Sequence, residues 1–290
     1  MIFAKIVPLK AWFLVVLLLL AITGCASPRE RTAALVRNAG WHWDIITTNR
    51  FDLATAQPWE QQGQTLWVYI EGDGFAYRTP TSPSSDPTPS DPVALRLALA
   101  HPVSDAVAYL ARPCQYVLPE QGRNCRPLYW TIGRYASEVV DSINQAVDIL
   151  KDQAGATHVV LVGYSGGGAL AVLTASRRKD VIGIVTVAAN LNLAYWTKRD
   201  GLTPLTDSLD PSSVTSAVAT IPQVHFTGLR DEAVGSDVVQ SFVRRMPSDA
   251  PVLIVEIPNF SHTCCWASEW ARLITRPDVV STLHRAISPF

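Results

Sequence analysis

Short, uninterrupted runs of Val, Ile, Leu and Ala alternate with amphipathic segments along most of this sequence. Thr65 to Ile70, Ala106 to Ala111, Thr157 to Tyr164, Val181 to Ala188, Gln223 to Thr227 and Val252 to Ile257 read as strands. Ser137 to Lys151, Gly168 to Arg178, Gly235 to Arg245 and a segment from about Ala267 read as helices. Strands this apolar must be covered on both faces, and helices interleaved with them supply the cover. The expected class is therefore α/β, with a mostly parallel central sheet and helices on both faces. Sheets of this kind bind ligands just past the carboxyl ends of their strands, so candidate functional residues are sought there.

Ahead of this alternation, Trp41 to Thr48 and Arg50 to Gln57 flank Asn49 and predict a hairpin. The strand Thr65 to Ile70 runs into the tight turn Glu71-Gly72-Asp73-Gly74. Residues 77–92 hold five prolines, several serines and few apolar side chains. That composition predicts a loop, too rich in proline to pair in a sheet, lying over the mouth of a site. Asp91-Pro92 then predicts the start of a helix reaching about Ala100. Residues 25–40 read as a tether or short helix, and 41–290 as one domain, a size that α/β chains commonly fill as a single unit.

The N-terminus reads as a processing signal. Lys5 and Lys10 precede an apolar run from Ala11 to Ile22, marginal for a membrane-spanning helix, and residues 1–24 are expected to be removed as a signal peptide. Ile22-Thr23-Gly24-Cys25 resembles the bacterial lipobox, which implies that Cys25 becomes an acylated N-terminus. An uncleaved signal anchor or an ordinary signal peptide are the alternatives. Ala26, rather than Asp, follows the cysteine. The resemblance then implies the periplasmic face of the outer membrane, with membrane contact through the lipid.

Removing Lys5 and Lys10 leaves 22 of the 24 basic residues against 25 acidic ones, a balance that implies no nucleic-acid partner. A monomer is expected. The other four cysteines would lie in an oxidising compartment. Cys114 and Cys125 enclose a short loop and are expected to pair, a bridge that stabilises by about 3 kcal/mol on loop-entropy grounds. Cys264 and Cys265 are adjacent, leaving a vicinal bridge, two thiols beside His262, or a His-Cys-Cys metal site as options.

Gly163-Tyr164-Ser165-Gly166-Gly167 joins the strand that ends at Tyr164 to the helix that follows. This is Gly-x-Ser-x-Gly in strand-turn-helix context. The turn is so tight that side chains two residues either side of the serine would collide. Its hydroxyl is thereby presented at a helix N-terminus, whose free amides favour an oxyanion.

Over residues 41–280 the chain resembles the α/β-hydrolase superfamily, and that resemblance implies a nucleophile, an acid and a histidine in this order. Ser165 is the expected nucleophile. The strand Gln223 to Thr227 ends in Gly228-Leu229-Arg230-Asp231, similar to the superfamily's acid turn, which makes Asp231 the acid. The strand Val252 to Ile257 runs into Pro258-Asn259-Phe260-Ser261-His262, placing His262 as the base. His158, His225 and His42 fall within expected strands, while His101 and His284 have no catalytic context. The Gly166 amide is one expected oxyanion donor. Glu71-Gly72-Asp73-Gly74 resembles the His-Gly-x-Gly loop that supplies the second, from Asp73 or alternatively Gly74, with Glu71 in the histidine's place. The Asp73 carboxylate would oppose an oxyanion unless turned away or paired, for which Arg78 or Arg112 are candidates.

Two further stretches, around Arg112-Pro113-Cys114 and Asn190-Leu191-Asn192, resemble proteobacterial hydrolase-like lipoproteins. The second opens residues 190–221, where the superfamily inserts its cap. Tyr195 and Trp196 are expected there to line an apolar pocket with Tyr164; sealing the core is the alternative. Together these features imply a serine hydrolase, carboxylesterase- or lipase-like, that acts on a small-molecule acyl ester or thioester without metal or cofactor. The alternatives are a serine peptidase or amidase, and a catalytically inactive periplasmic binding or scaffold lipoprotein.

Overall fold

The computed structural model describes residues 27–102, 105–117 and 122–284. The chain opens with α1 (Pro28–Asn38), β1 (Trp41–Thr47), β2 (Asp52–Pro58) and β3 (Thr65–Ile70), then β4 (Tyr77–Thr79) and β5 (Ser82–Pro83). Next come α2 (Val93–Leu99), β6 (Ala106–Leu110), α3 (Ser137–Gln153), β7 (His158–Tyr164), α4 (Gly166–Ala175) and β8 (Val181–Val187). The rest comprises α5 (Leu193–Arg199), α6 (Thr215–Val218), β9 (Gln223–Gly228), α7 (Ser236–Val243), β10 (Val252–Ile257), α8 (Trp266–Ile274) and α9 (Pro277–His284).

Eight of these strands form one sheet in the order β1-β2-β6-β3-β7-β8-β9-β10. β1 and β2 form the expected hairpin and β2 runs antiparallel to β6, whereas every ladder from β6 to β10 is parallel. Strand alternation divides the core into two layers. In β3, Leu66, Val68 and Ile70 meet Val139, Ile143 and Val147 of α3, while Trp67 and Tyr69 turn to the other face. That second layer is completed by Leu95 of α2 and by Trp266 and Trp270 of α8. α4 lies within the first layer and is buried on all sides, in keeping with its run of Gly, Ala, Leu and Val.

Residues 28–38 are built into the body of the protein. A reciprocal cap between Ser27 and Glu30, with proline in the first turn, starts α1, and Thr32 and Val36 are buried. Residues 77–92 depart from expectation by pairing. Tyr77 and Thr79 oppose Pro83 and Ser82 in a small hairpin whose proline sits at an edge, where no ladder donor is needed. Polar bonds, beside the buried Pro87 and Pro89, then fasten the segment. Ser84 N donates to Ala76 O (2.9 Å), Trp130 Nε1 to Ser84 O (3.2 Å) and Tyr116 N to Thr88 Oγ1 (2.8 Å). Hydropathy carries no trace of such bonds.

Cys114 and Cys125 are joined by a disulfide, and Cys264 and Cys265 are bonded to each other. Cys25 lies outside the described residues.

Candidate active site

β7 delivers the chain to Ser165 at the centre of the carboxyl edge of the sheet. Ser165 adopts φ 51° and ψ −121°, a conformation that costs a non-glycine residue about 1–3 kcal/mol and persists only where the surroundings impose it. Ser165 N donates to Val187 O (2.8 Å), and Gly168 N donates to Ser165 O (3.0 Å). The flanking glycines are required by close approach. A Cβ on Gly163 would overlap the backbone of Gly167, and one on Gly167 would overlap Ile70 O at the end of β3.

The loops after β9 and β10 bring Asp231 and His262 to this serine. His262 Nε2 lies 3.1 Å from Ser165 Oγ, and His262 Nδ1 lies 2.9 Å from Asp231 Oδ2. Asp231 Oδ1 accepts from Ala233 N (2.9 Å) and Val234 N (3.0 Å), leaving Oδ2 to face the imidazole. Burial pushes the Asp231 carboxyl up, but the His262 imidazole and these two amides outweigh it and hold its pKa below the usual carboxylate range. An ionised Asp231 selects the tautomer with its proton on Nδ1, which turns the Nε2 lone pair toward Ser165. The histidine's own loop is tied down. Tyr164 Oη donates to His262 O (3.1 Å), and Trp266 Nε1 donates to the same carbonyl (3.0 Å). Of the other histidines, His225 is buried in β9 against Thr186, and burial lowers its pKa to about 3.

The turn after β3 lies against the first turn of α4. Its Asp73 carboxylate is paired, bound by Arg112, by Arg134 Nη1 (2.6 Å) and by Tyr135 Oη (3.0 Å). Burial opposes its ionisation, but Arg134 and Arg112 override that and hold the pKa far below the usual range. Arg112 is thus one of the partners. Arg78 is not; it is exposed on β4, and Arg134 takes its place. Gln115 completes the support by donating from Nε2 to Gly72 O (2.8 Å). Among the described residues, the N–H groups of Gly166, Asp73 and Gly74 donate to no protein acceptor.

A cavity of about 340 Å³ opens beside Ser165 and His262. Asp73, Gly74, Phe75, Tyr164, Asn190 and Trp196 contribute to its wall. Tyr195, expected in this pocket, is not in the wall. Adjacent helix positions point about 100° apart, so Trp196 reaches the cavity while Tyr195 Oη turns to Asp237 (2.9 Å). Trp196 Nε1 also donates to Ala233 O (2.8 Å), fastening α5 to the Asp231 turn. Glu71 forms another part of the wall. Its Oε1 accepts from Gly72 N (2.9 Å) and Ala94 N (3.3 Å), while its Oε2 is buried without a partner among the described residues. Burial pushes the Glu71 pKa up to about 7, only partly offset by those amides.

Arg134, Tyr135, Trp266 and the wall residue Phe75 carry no local pattern that marks them in the sequence. Asn190 and Arg112 stood in the two stretches singled out above. Among the described residues, no group of His, Cys, Asp or Glu side chains could hold a metal ion.

No family model matches the sequence, and no curated protein matches it either. Solved structures do resemble it in backbone. The Pyrococcus furiosus esterase Pf2001 is 15% identical with a TM-score of 0.59, the match covering 91% of this chain and 97% of that one. A membrane phospholipase A described as a bacterial virulence factor is 15% identical, TM-score 0.57, covering 97% and 100%. Est1E from Butyrivibrio proteoclasticus is 14% identical, TM-score 0.57, covering 85% and 99%.

Proposed function

We propose that this chain, which has the α/β-hydrolase fold of those structures, is a serine hydrolase that cleaves carboxylic esters or thioesters through an acyl-enzyme. One observation carries the reading: the strained Ser165, with its Oγ 3.1 Å from His262 Nε2 and the far side of the imidazole 2.9 Å from Asp231. A serine held in that backbone conformation at a helix start, facing a histidine of fixed tautomer, is a nucleophile with its base in place. His262 takes the Ser165 proton as Oγ attacks the acyl carbon, and Asp231 stabilises the resulting imidazolium. The proton then passes to the leaving alcohol or thiol, and water repeats the sequence on the acyl-enzyme. The free amides of Gly166 and Asp73 are the donors that the tetrahedral oxyanion would use, with Gly74 as the alternative to Asp73; one such donor is worth about 10²–10³ in kcat. The esterases and the phospholipase among the similar structures support an acyl ester as substrate. Cys25 is proposed to carry lipid and to hold the protein to the periplasmic face of the outer membrane.

Hydrolysis of p-nitrophenyl esters from acetate to palmitate tests this reading. Wild type should turn over at least one of them, and Ser165→Ala should lose that activity while keeping its thermal melt. A folded wild type that cleaves none of the series overturns it.

A further inference from the structure

The start of α1 lies one side chain, Phe75, away from the Ser165 cavity. Pro28, its first residue, borders a surface depression with Phe75, Arg78, Ser84 and Thr88, and Phe75 is also part of the cavity wall. The topology gives the same placement. Trp41 pairs with Pro58 at the end of the sheet away from the site, so α1 climbs from the pocket end down to that edge. Cys25 precedes Pro28 by three residues, a reach of at most about 11 Å.

The surface at this end suits a bilayer. Phe75 and Leu229 are each about half exposed, at 51% and 53%, and Leu229 follows directly on the carboxyl end of β9. Arg29 and Arg31 on the first turn of α1, with Arg78 on β4, would meet anionic headgroups. Of the acids at this end, Glu30 is bonded to Ser27 N, Asp86 to Thr88 N and Asp91 to Arg96 Nε, while the exposed Glu232 is offset by the exposed Arg230 in the same turn.

We infer that the cavity mouth faces the leaflet that holds the acyl chains of Cys25, and that the ester cleaved belongs to an acyl lipid of that leaflet. The inference rests on the serine-hydrolase reading and on acylation of Cys25. At about 340 Å³ the cavity is near the lower end of small-molecule sites. It takes the reacting end of an acyl chain while the remainder of the lipid stays in the bilayer. In the reaction the lipid's ester bond breaks, its acyl carbon bonds to Ser165 Oγ, and the lyso-lipid alcohol leaves with the proton from His262. Water then releases the fatty acid and restores the hydroxyl.

The test uses the acylated full chain on vesicles of phosphatidylethanolamine and phosphatidylglycerol, beside Cys25→Ser. Hydrogen exchange should slow at residues 73–79 and 229–231 of the acylated protein, and remain unchanged at residues 59–62 at the opposite end. Slowing confined to 59–62, or no regional difference, overturns the orientation. Fatty-acid release from the vesicles should exceed that of Cys25→Ser at least tenfold, with a soluble butyrate ester cleaved equally by both. A wild type that cleaves the soluble ester but no vesicle lipid overturns the lipid assignment and leaves the hydrolase reading standing. Failure on both substrates overturns the hydrolase reading and the lipid assignment with it, and the exchange pattern alone then decides the orientation.

Discussion

Gly166 rests on the carboxylate of Asp73: a Cβ at position 166 would overlap Asp73 Oδ1 and close to 2.6 Å from Tyr135 Oη. The start of α4 and the turn after β3 are thus seated on each other through a buried acid, and any displacement of one shifts the amides of the other.

Gly166→Ala should therefore damage catalysis more than folding. Overpacking at one methyl costs about 1–3 kcal/mol in stability. A shift of the amides should lower kcat by about 10² or more, on the scale of a lost oxyanion donor. Kinetics on the best p-nitrophenyl ester, beside urea denaturation, separate the two. Full activity in a destabilised variant would contradict this.

Asp73 faces two guanidiniums, so the order of losses on truncation is fixed by charge. Asp73→Ala leaves Arg112 and Arg134 buried without a counter-charge and should cost about 3–5 kcal/mol or more. Arg134→Ala leaves Asp73 paired with Arg112 and should cost less. Denaturant midpoints at constant slope measure both. The reverse order would mean that the pairing of charge does not govern this cluster.

Glu71 should give the fold a pH dependence above the usual carboxyl range. Its pKa is raised from 4.5 to about 7 by burial, so the folded chain holds a proton that the unfolded chain has released. The stability it contributes is complete below 4.5, falls as pH rises toward 7, and is then lost. The difference amounts to about 3 kcal/mol. Glu71→Gln keeps an acceptor for Gly72 N and Ala94 N but cannot ionise. Between pH 5 and pH 8, wild type should lose melting temperature relative to this variant. Parallel profiles would show that Glu71 does not titrate in this window.

The parts of this architecture that are local in sequence were legible in it. Apolar strand runs gave the parallel part of the sheet, because burial on both faces leaves no polar alternation. Ser165 follows directly on β7, and Asp231 and His262 stand on the loops that leave β9 and β10; strand ends are where the topology gathers residues. What could not be read depends on long-range approach or side-chain direction. Arg134 and Tyr135 lie about sixty residues from Asp73, in a stretch before α3 without periodicity. Tyr195 and Trp196 are equivalent in composition, and only the phase of α5 decides which of them reaches the cavity. The hairpin Tyr77–Thr79 with Ser82–Pro83 is held by polar bonds that leave no hydropathic signature.

Whether Ser165 is an activated nucleophile is tested most directly by reaction with a fluorophosphonate, followed by mass mapping of the adduct. An ordinary surface serine lacks the base and the amides that speed this reaction. Labelling of the folded wild type should fall on Ser165 alone, vanish in Ser165→Ala and nearly vanish in His262→Ala. Asp231→Asn should melt like wild type yet lose about 10⁴-fold in ester turnover, as expected when the acid that fixes the tautomer is neutralised. Folded wild type that takes up no label at Ser165, or that labels equally with His262 removed, would contradict the account.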